Sequence, residues 1–368
     1  MPEHSHRIQK VELWPIDVPI TDPFVVATGS RVLAQNALVR VTLADGTEGY
    51  GEMAPFPEVG GETRDTCLVT AETLAKSLLG RSSLQYRTLS QEMTEQAPAY
   101  PAVRCGLETA VLDALSRSAG IPLWSLWGGA NLRPHETDIT IPIADAARTM
   151  TLARHWYAQG FRQFKMKVGH DVDEDIRRLE AVHRACEGVS FIVDANQGYT
   201  RAEAVAIIEG LRSCGGHILL LEQPLPREDV DGMAALRHGW RVPVAADESV
   251  RTLDDLHTMI HYQAADFINI KITKTGVMAA MDIAIAARTA GLHLMIGGMI
   301  ETRIAMGCSF GLALGLGGFE VLDLDTPLLL ASDPVTGGYQ YEGPRLLPWN
   351  EPGLGLRTQT AGLVTTVA

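Results

Sequence analysis

Apolar positions in this chain follow two rhythms. Over residues 37–43 (ALVRVTL) apolar and polar residues alternate into Asp45-Gly46, and residues 47–51 (TEGYG) resume after it, which predicts two strands joined by a hairpin turn. Near residues 66–79 and 102–118 the apolar positions recur at helical spacing instead. Strands followed by helices predict an α+β unit over residues 1–130. From about Asp138 the texture changes to short apolar runs separated by helical patterns, at 139–143, 164–168, 189–193, 217–221, 242–246, 267–272, 292–296 and 319–324. Eight such runs predict a (β/α) barrel over residues 131–335. A doubly wound sheet would bring a glycine-rich phosphate turn after its first strand, where Asp145 and Arg148 stand instead. Residues 336–368, rich in Gly and Pro, are expected to pack back on the first unit.

Charged residues fall on the same beat. Lys165 and Lys167 lie in FKMK, Asp194 ends FIVD, Glu222 ends ILLLE, Asp247 ends VPVAAD, Lys271 ends FINIK, and Asp323 and Asp325 end EVLDLD. Positions 165, 194, 222, 247 and 271 stand 24 to 29 residues apart, and 323 lies two such steps further on. A carboxylate after a strand is often only a helix cap. Recurrence at the C-terminal end of every unit, which is the active-site face of a barrel, is not explained by capping.

The residue types suggest the chemistry. Asp194, Glu222 and Asp247 come from neighbouring strands, so their oxygens converge and repel unless a cation sits among them. Hard oxygen donors without His or Cys suit one Mg²⁺. Asn196 and Glu248 adjoin this set and are expected to support it. Gln223, one step out of register, is expected to point elsewhere. The chain has six lysines, and three of them are at these strand ends. Lys165 and Lys167 share a strand face about 6.5 Å apart along it. Two ammonium groups so close favour loss of a proton from one of them, which suits a general base. Lys271, across the barrel axis, reaches the opposite face of anything held over the metal, whereas Lys274, beyond its strand end, is expected to be solvated. Two bases flanking a metal form an apparatus for moving a proton at a carbon next to a carboxylate.

Composition narrows the setting. With 46% hydrophobic and 20% charged residues, the chain is of globular type. A net charge of −13 argues against a nucleic-acid partner. No apolar stretch approaches the ~18 residues of a membrane helix. The N-terminal Glu3, His4, His6, Arg7 and Lys10 leave no apolar core for a secretory signal. Five cysteines without CxxC spacing read as reduced thiols. A cytoplasmic enzyme is expected.

At these residues the chain resembles the enolase superfamily, in its muconate lactonising enzyme subgroup. The likeness covers nearly the whole chain: GYGEMAPFP (49–57), RCGLETAVLDAL (104–115), IPLWSLWGG (121–129), and then KMK, DANQGY, EQPL, ADES and NIKITKTG. It implies a modified TIM-type (β/α)7β barrel with an α+β capping domain completed by the C-terminal segment, and a homo-oligomer. It also implies Lys167 and Lys271 as the acid/base pair, Lys165 tuning Lys167 or touching substrate, and Asp194, Glu222 and Asp247 on Mg²⁺. This lysine-and-Mg²⁺ pattern is a known one for the superfamily. Within the subgroup the chain is most similar to dipeptide epimerases, whose D-x-D at the eighth strand grips a free α-ammonium and here reads Asp323-Leu324-Asp325. Gly298, Met299 and Ile300 of GGMIE match the segment along the dipeptide backbone, and Thr140 matches a contact from the first strand. Members acting on Ala-Glu dipeptides carry an arginine five residues after the phenylalanine of a Pro-Phe pair. Here Gly29 holds that place after Pro23-Phe24, and Arg31 lies two further on. A hydrophobic or basic second residue is therefore expected, with Glu58 as partner for a basic one. A cycloisomerase, an N-acylamino acid racemase or an o-succinylbenzoate synthase of the same subgroup has no need of an ammonium clamp. A Schiff-base aldolase barrel would not need three converging carboxylates, and a non-catalytic binding barrel leaves the lysines unexplained.

Overall fold

A computed structural model describes residues 3–129, 132–358 and 365–367. The boundary expected between residues 130 and 131 lies outside the described residues. The chain opens with an antiparallel meander of β1 (Ile8–Val26), β2 (Gly29–Leu43) and β3 (Glu48–Met53). Three helices follow: α1 (Arg64–Leu78), α2 (Tyr86–Gln96) and α3 (Pro101–Ser118). Val11, Leu13, Val39, Val41 and Met53 of the sheet bury themselves against Ala71, Leu74, Leu107 and Val111 of the helices. Contact between α3 and β3 is so close that a Cβ at Gly51 would stand 1.9 Å from the Gly106 carbonyl oxygen, so only glycine fits there. The nineteen-residue β1 is not among the elements that the apolar pattern predicts.

Eight parallel strands follow in chain order: β4 (Ile139–Ile141), β5 (Gln163–Lys167), β6 (Ser190–Asp194), β7 (His217–Glu222), β8 (Val244–Ala246), β9 (Phe267–Ile270), β10 (His293–Ile296) and β11 (Phe319–Leu322). The Asp138 N–H donates to the Leu322 carbonyl at 3.0 Å, which brings the last strand to the first. Full helices such as Ala146–Ala158, Val277–Thr289 and Arg303–Leu316 follow the first seven strands, and only the single turn Thr326–Leu329 follows β11. This is a (β/α)7β arrangement. Strand alternation sets its interior. Ile192, Leu220, Ala245, Met295 and Val321 form an inward apolar cluster. Two residues further along their chain segments come Asp194, Glu222, Asp247, Gly297 and Asp323, so the apolar floor carries a polar layer at the C-terminal ends.

The two units are bound by buried carboxylates. Glu52 of β3 accepts from the Thr302 N–H (3.0 Å), the Thr302 hydroxyl (2.6 Å) and the Ala305 N–H (3.2 Å), capping helix Arg303–Leu316 of the barrel. Glu108 of α3 does the same for helix Val277–Thr289 through the N–H groups of Val277 and Met278 at 2.5 and 3.1 Å. At the chain's far end β12 (Thr365–Val367) pairs antiparallel with β1 as the edge of the first sheet.

Candidate active site

The polar layer and the loops above it enclose a cavity of about 490 Å³. Its walls include Phe24, Val26, Phe56 and Val59 from the first unit and Thr140, Lys165, Lys167, Asn196, Asp247, Glu248, Lys271, Gly298, Met299, Ile300, Asp323 and Thr326 from the barrel. Register explains the grouping: Lys167 is the Cα partner of Asp194, and Asp194 of Glu222. Lys167 Nζ donates to Asp194 Oδ2 at 2.7 Å and Asn196 Oδ1 at 3.2 Å. Lys165 Nζ lies 2.6 Å from Asp323 Oδ2, 2.9 Å from Glu222 Oε2 and 3.1 Å from Asp194 Oδ2. Lys271 Nζ meets Asp247 Oδ2 at 2.7 Å. Lys167 and Lys271 therefore stand on strand ends four positions apart around an eight-stranded barrel, with the three acids between them.

Charges here balance in a buried setting. Burial opposes the Lys165 charge, but Asp323, Glu222 and Asp194 outweigh it and hold its ammonium well above the ordinary lysine range. The neighbour effect expected from Lys167 is thus not what governs Lys165. Burial also works against the Asp247 carboxylate, yet Lys271 and Lys274 keep it below the usual aspartate range. Asp194, opposed by burial but flanked by Lys167, Lys165 and Lys271, is held at about 2. Glu222 goes the other way, pushed up to about 7 by burial and by Asp194. Its Oε2 accepts no aligned hydrogen bond, although Lys165 Nζ lies at 2.9 Å, and Glu248 Oε2 has no donor either. Unfilled acceptor capacity on Glu222 and Glu248, beside the all-oxygen donors Asp194 and Asp247, fits a hard cation. Asn196 links the two sides, donating to Glu248 Oε1 at 3.3 Å. Gln223 turns away, bonding Leu225 O and Ser249 Oγ, while its Oε1 accepts the Asp247 N–H.

Two expectations need correction. Lys274 is buried, not solvated: its Nζ reaches Asp247 Oδ1 at 2.8 Å and Asn269 O at 3.0 Å, because the strand end turns at once into the short helix Ile272–Thr275. Glu58 is not a free acid, since Arg31 Nη2 binds its Oε2 at 2.5 Å and the Arg31 guanidinium lies 4.8 Å from the Phe56 ring centre. Gly29 sits beside that pair, where a Cβ would approach Glu58 Cγ at 3.3 Å.

Asp325 is not among the residues lining the cavity; its Oδ2 takes the Thr140 N–H at 2.6 Å and its Oδ1 is without a donor. At Gly297 a Cβ would come within 2.8 Å of Asp323 Oδ2, so glycine makes room for that carboxylate. Sequence reasoning missed Asp138, which is fully buried with neither oxygen hydrogen-bonded. Its carboxyl oxygen, one from Asp323 and one from Asp325 lie within 4.8 Å of one another. Burial, then Asp323 and Asp325, push the Asp138 carboxyl well above the usual range. Its signal in the chain is Asp138-Ile139-Thr140, two inward positions of the first strand. Asn269 was also missed; its Nδ2 donates to Glu222 Oε1 at 2.7 Å.

A barrel with acids and lysines at its strand ends, closed over by an α+β unit, is an enolase-type protein. Residues 148–361 match the enolase C-terminal domain-like family, and residues 9–128 match the mandelate racemase / muconate lactonizing enzyme N-terminal domain. The chain belongs to this family. It is 42% identical to an aromatic dipeptide epimerase of Herpetosiphon aurantiacus over 337 residues, 91% of this chain and 94% of the relative. It is 41% identical to an L-Ala-D/L-amino acid epimerase of Populus trichocarpa over 342 residues, 91% of this chain and 81% of the relative. A dipeptide epimerase structure from Cytophaga hutchinsonii, complexed with Mg and D-Ala-L-Val, superposes with a TM-score of 0.94 at 29% identity, covering 98% of this chain and all of that one.

Proposed function

We infer that this protein is a Mg²⁺-dependent dipeptide epimerase that inverts the α-carbon of the C-terminal residue. The observation that carries the reading is the acid cluster at the eighth strand: Asp323 at the cavity wall and Asp325 with an oxygen within 4.8 Å of it, with an unfilled acceptor on Asp325. A free α-ammonium supplies the donor, and a muconate-type cycloisomerase or N-acylamino acid racemase has no use for it. Mg²⁺ belongs with Asp194, Glu222 and Asp247, where it would offset charge building on the substrate carboxylate. The similar Cytophaga hutchinsonii structure with Mg and a dipeptide supports both assignments.

Lys167 and Lys271 flank the substrate's α-carbon in this reading. One takes the α-proton as the C–H bond breaks, and its electron pair moves into the carboxylate. The other gives a proton to the opposite face, so the centre inverts and no proton is gained or lost overall. Asn196 and Asp194 aim Lys167, and Asp247 aims Lys271. Lys165, tied to three carboxylates, stays a cation and steadies the substrate carboxylate. Phe24, Val26, Phe56, Val59 and Ile300 make the surrounding wall apolar, and Glu58 is already neutralised by Arg31. A hydrophobic second residue fits that wall better than a basic one, and an acidic one fits worst. Five unpaired cysteines agree with a reducing cytoplasm.

Incubating the enzyme with a dipeptide library in D₂O and Mg²⁺ tests the reading. Deuterium should enter at the C-terminal α-carbon together with appearance of the epimer. Absence of exchange with every free dipeptide would remove the proposal.

A further inference from the structure

A second cavity, of about 130 Å³, lies beside the first and shares two wall residues with it, Phe24 and Thr140. Its origin is a defect in the first sheet. β1 and β2 pair regularly from Lys10↔Thr42 to Pro19↔Leu33 and resume at Phe24↔Arg31, so four residues of β1 face one of β2. Residues 20–23, three more than the sheet needs there, form an arch. Both ends of the arch are pinned to the barrel, the Pro19 carbonyl by the Ala331 N–H at 2.8 Å and the Val25 carbonyl by the Ile143 N–H at 2.9 Å. Beneath it Ile20, Pro142, Leu152, Trp156, Leu328 and Leu329 make an apolar lining. The ionisable groups at its edge already have partners: Asp22 is paired with Arg148, and His155 Nε2 with Gln159 Nε2 at 2.7 Å. The volume is close to the ~150 Å³ of an apolar cavity that holds a benzene ring.

We propose that this cavity receives the side chain of the dipeptide's first residue, and that it selects large apolar residues there. The proposal rests on the epimerase reading above. Continuity with the ammonium clamp names the occupant. Thr140, whose N–H holds Asp325, forms part of both walls, and Leu328 and Leu329 follow the clamp directly in the turn Thr326–Leu329. A side chain leaving the carbon that bears the ammonium starts beside Thr140 and has an apolar space next to it.

The test is a series of dipeptides with one fixed second residue and Gly, Ala, Leu, Phe or Lys first, scored by kcat/KM for α-proton exchange in the Mg²⁺-loaded enzyme. Leu- and Phe-first substrates should exceed Ala-first by about tenfold or more, the discrimination expected of an apolar pocket. Leu328→Trp, which fills the cavity from a half-buried position, should collapse that ratio. Leu328→Glu should shift preference from Leu-first towards Lys-first. If dipeptides are exchanged without regard to the first residue, the inference falls and the epimerase reading stands. If wild type discriminates but both folded variants keep its ratios, the selectivity arises elsewhere and the inference falls as well. If no free dipeptide is exchanged at all, the function proposed above has failed first. Should one variant not fold, the other locates the selectivity by the same criterion.

Discussion

Acetylating the amine of a good dipeptide substrate removes one charge and leaves the reacting carbon, the carboxylate and both side chains in place. Asp323 keeps its ion pair with Lys165 at 2.6 Å in either case. The loss therefore falls on Asp325, whose Oδ1 has no other donor, within a cluster that also holds Asp138. Removing the partner of a buried carboxylate costs about 2–5 kcal/mol, which corresponds to roughly 30- to 4,000-fold in kcat/KM. Paired free and acetylated substrates, followed below saturation by α-deuterium uptake, measure it directly. Asp325→Asn adds an internal check, because it should hurt the free dipeptide far more than the acetylated one and so narrow the gap. Equal turnover of the two substrates would refute the clamp and point to an acylamino-acid racemase.

Exhaustive chelation should abolish exchange and Mg²⁺ restore it, and Glu222→Gln should lower metal affinity and rate together; activity without metal contradicts the assignment. Lys271→Ala should stop epimerisation while leaving exchange of the epimer served by Lys167, and Lys167→Ala the reverse, read by NMR on each pure epimer; wild-type epimerisation in either variant would end the two-base scheme. Burial and Asp323 push Asp325 up to about 7, against the Thr140 N–H. The ammonium needs the ionised form, so kcat/KM should fall as pH drops through about 7, and Asp325→Asn should erase that limb. For folding the sign reverses: this raised group contributes stability that is full below the unfolded aspartate range and lost as pH rises through about 7. Glu52→Ala strands several buried donors and should cost about 3–5 kcal/mol in denaturant unfolding, and an unchanged midpoint would show the cap to be dispensable.

Much of the barrel was readable because strand alternation leaves a mark in the chain. Ile192 followed at two residues by Asp194, or Leu220 by Glu222, is an inward apolar position followed by an inward polar one, and the beat of those pairs exposes the strand ends. Asp138 escaped because it lies one inward step before Thr140 on a strand of three residues, too short to display a rhythm. Lys274 was misread because distance along the chain overstates distance in space once a strand end becomes a helical turn. β1 was missed because Pro15, Pro19 and Pro23 interrupt its alternation, as suits an irregular edge over the barrel mouth. Glu52 and Glu108 gave no signal at all, since a lone acid in an apolar segment does not say which helix it will cap.

Those two caps bear on how the chain is made. Glu52 leaves the ribosome 250 residues ahead of the Thr302 it must meet, which is about 12–50 s at a synthesis rate of ~5–20 residues per second. Throughout that interval Glu52 lacks its barrel donors on Thr302 and Ala305, keeping within its own unit the Asn36 Nδ2 at 2.7 Å, and its sheet lacks the strand Thr365–Val367, which is made later still. The N-terminal unit is thus finished only after the barrel segments that hold it have been made. A chain truncated after residue 130 should be a poorly folded client of chaperones, not an autonomous module, because the parts that complete it are encoded downstream.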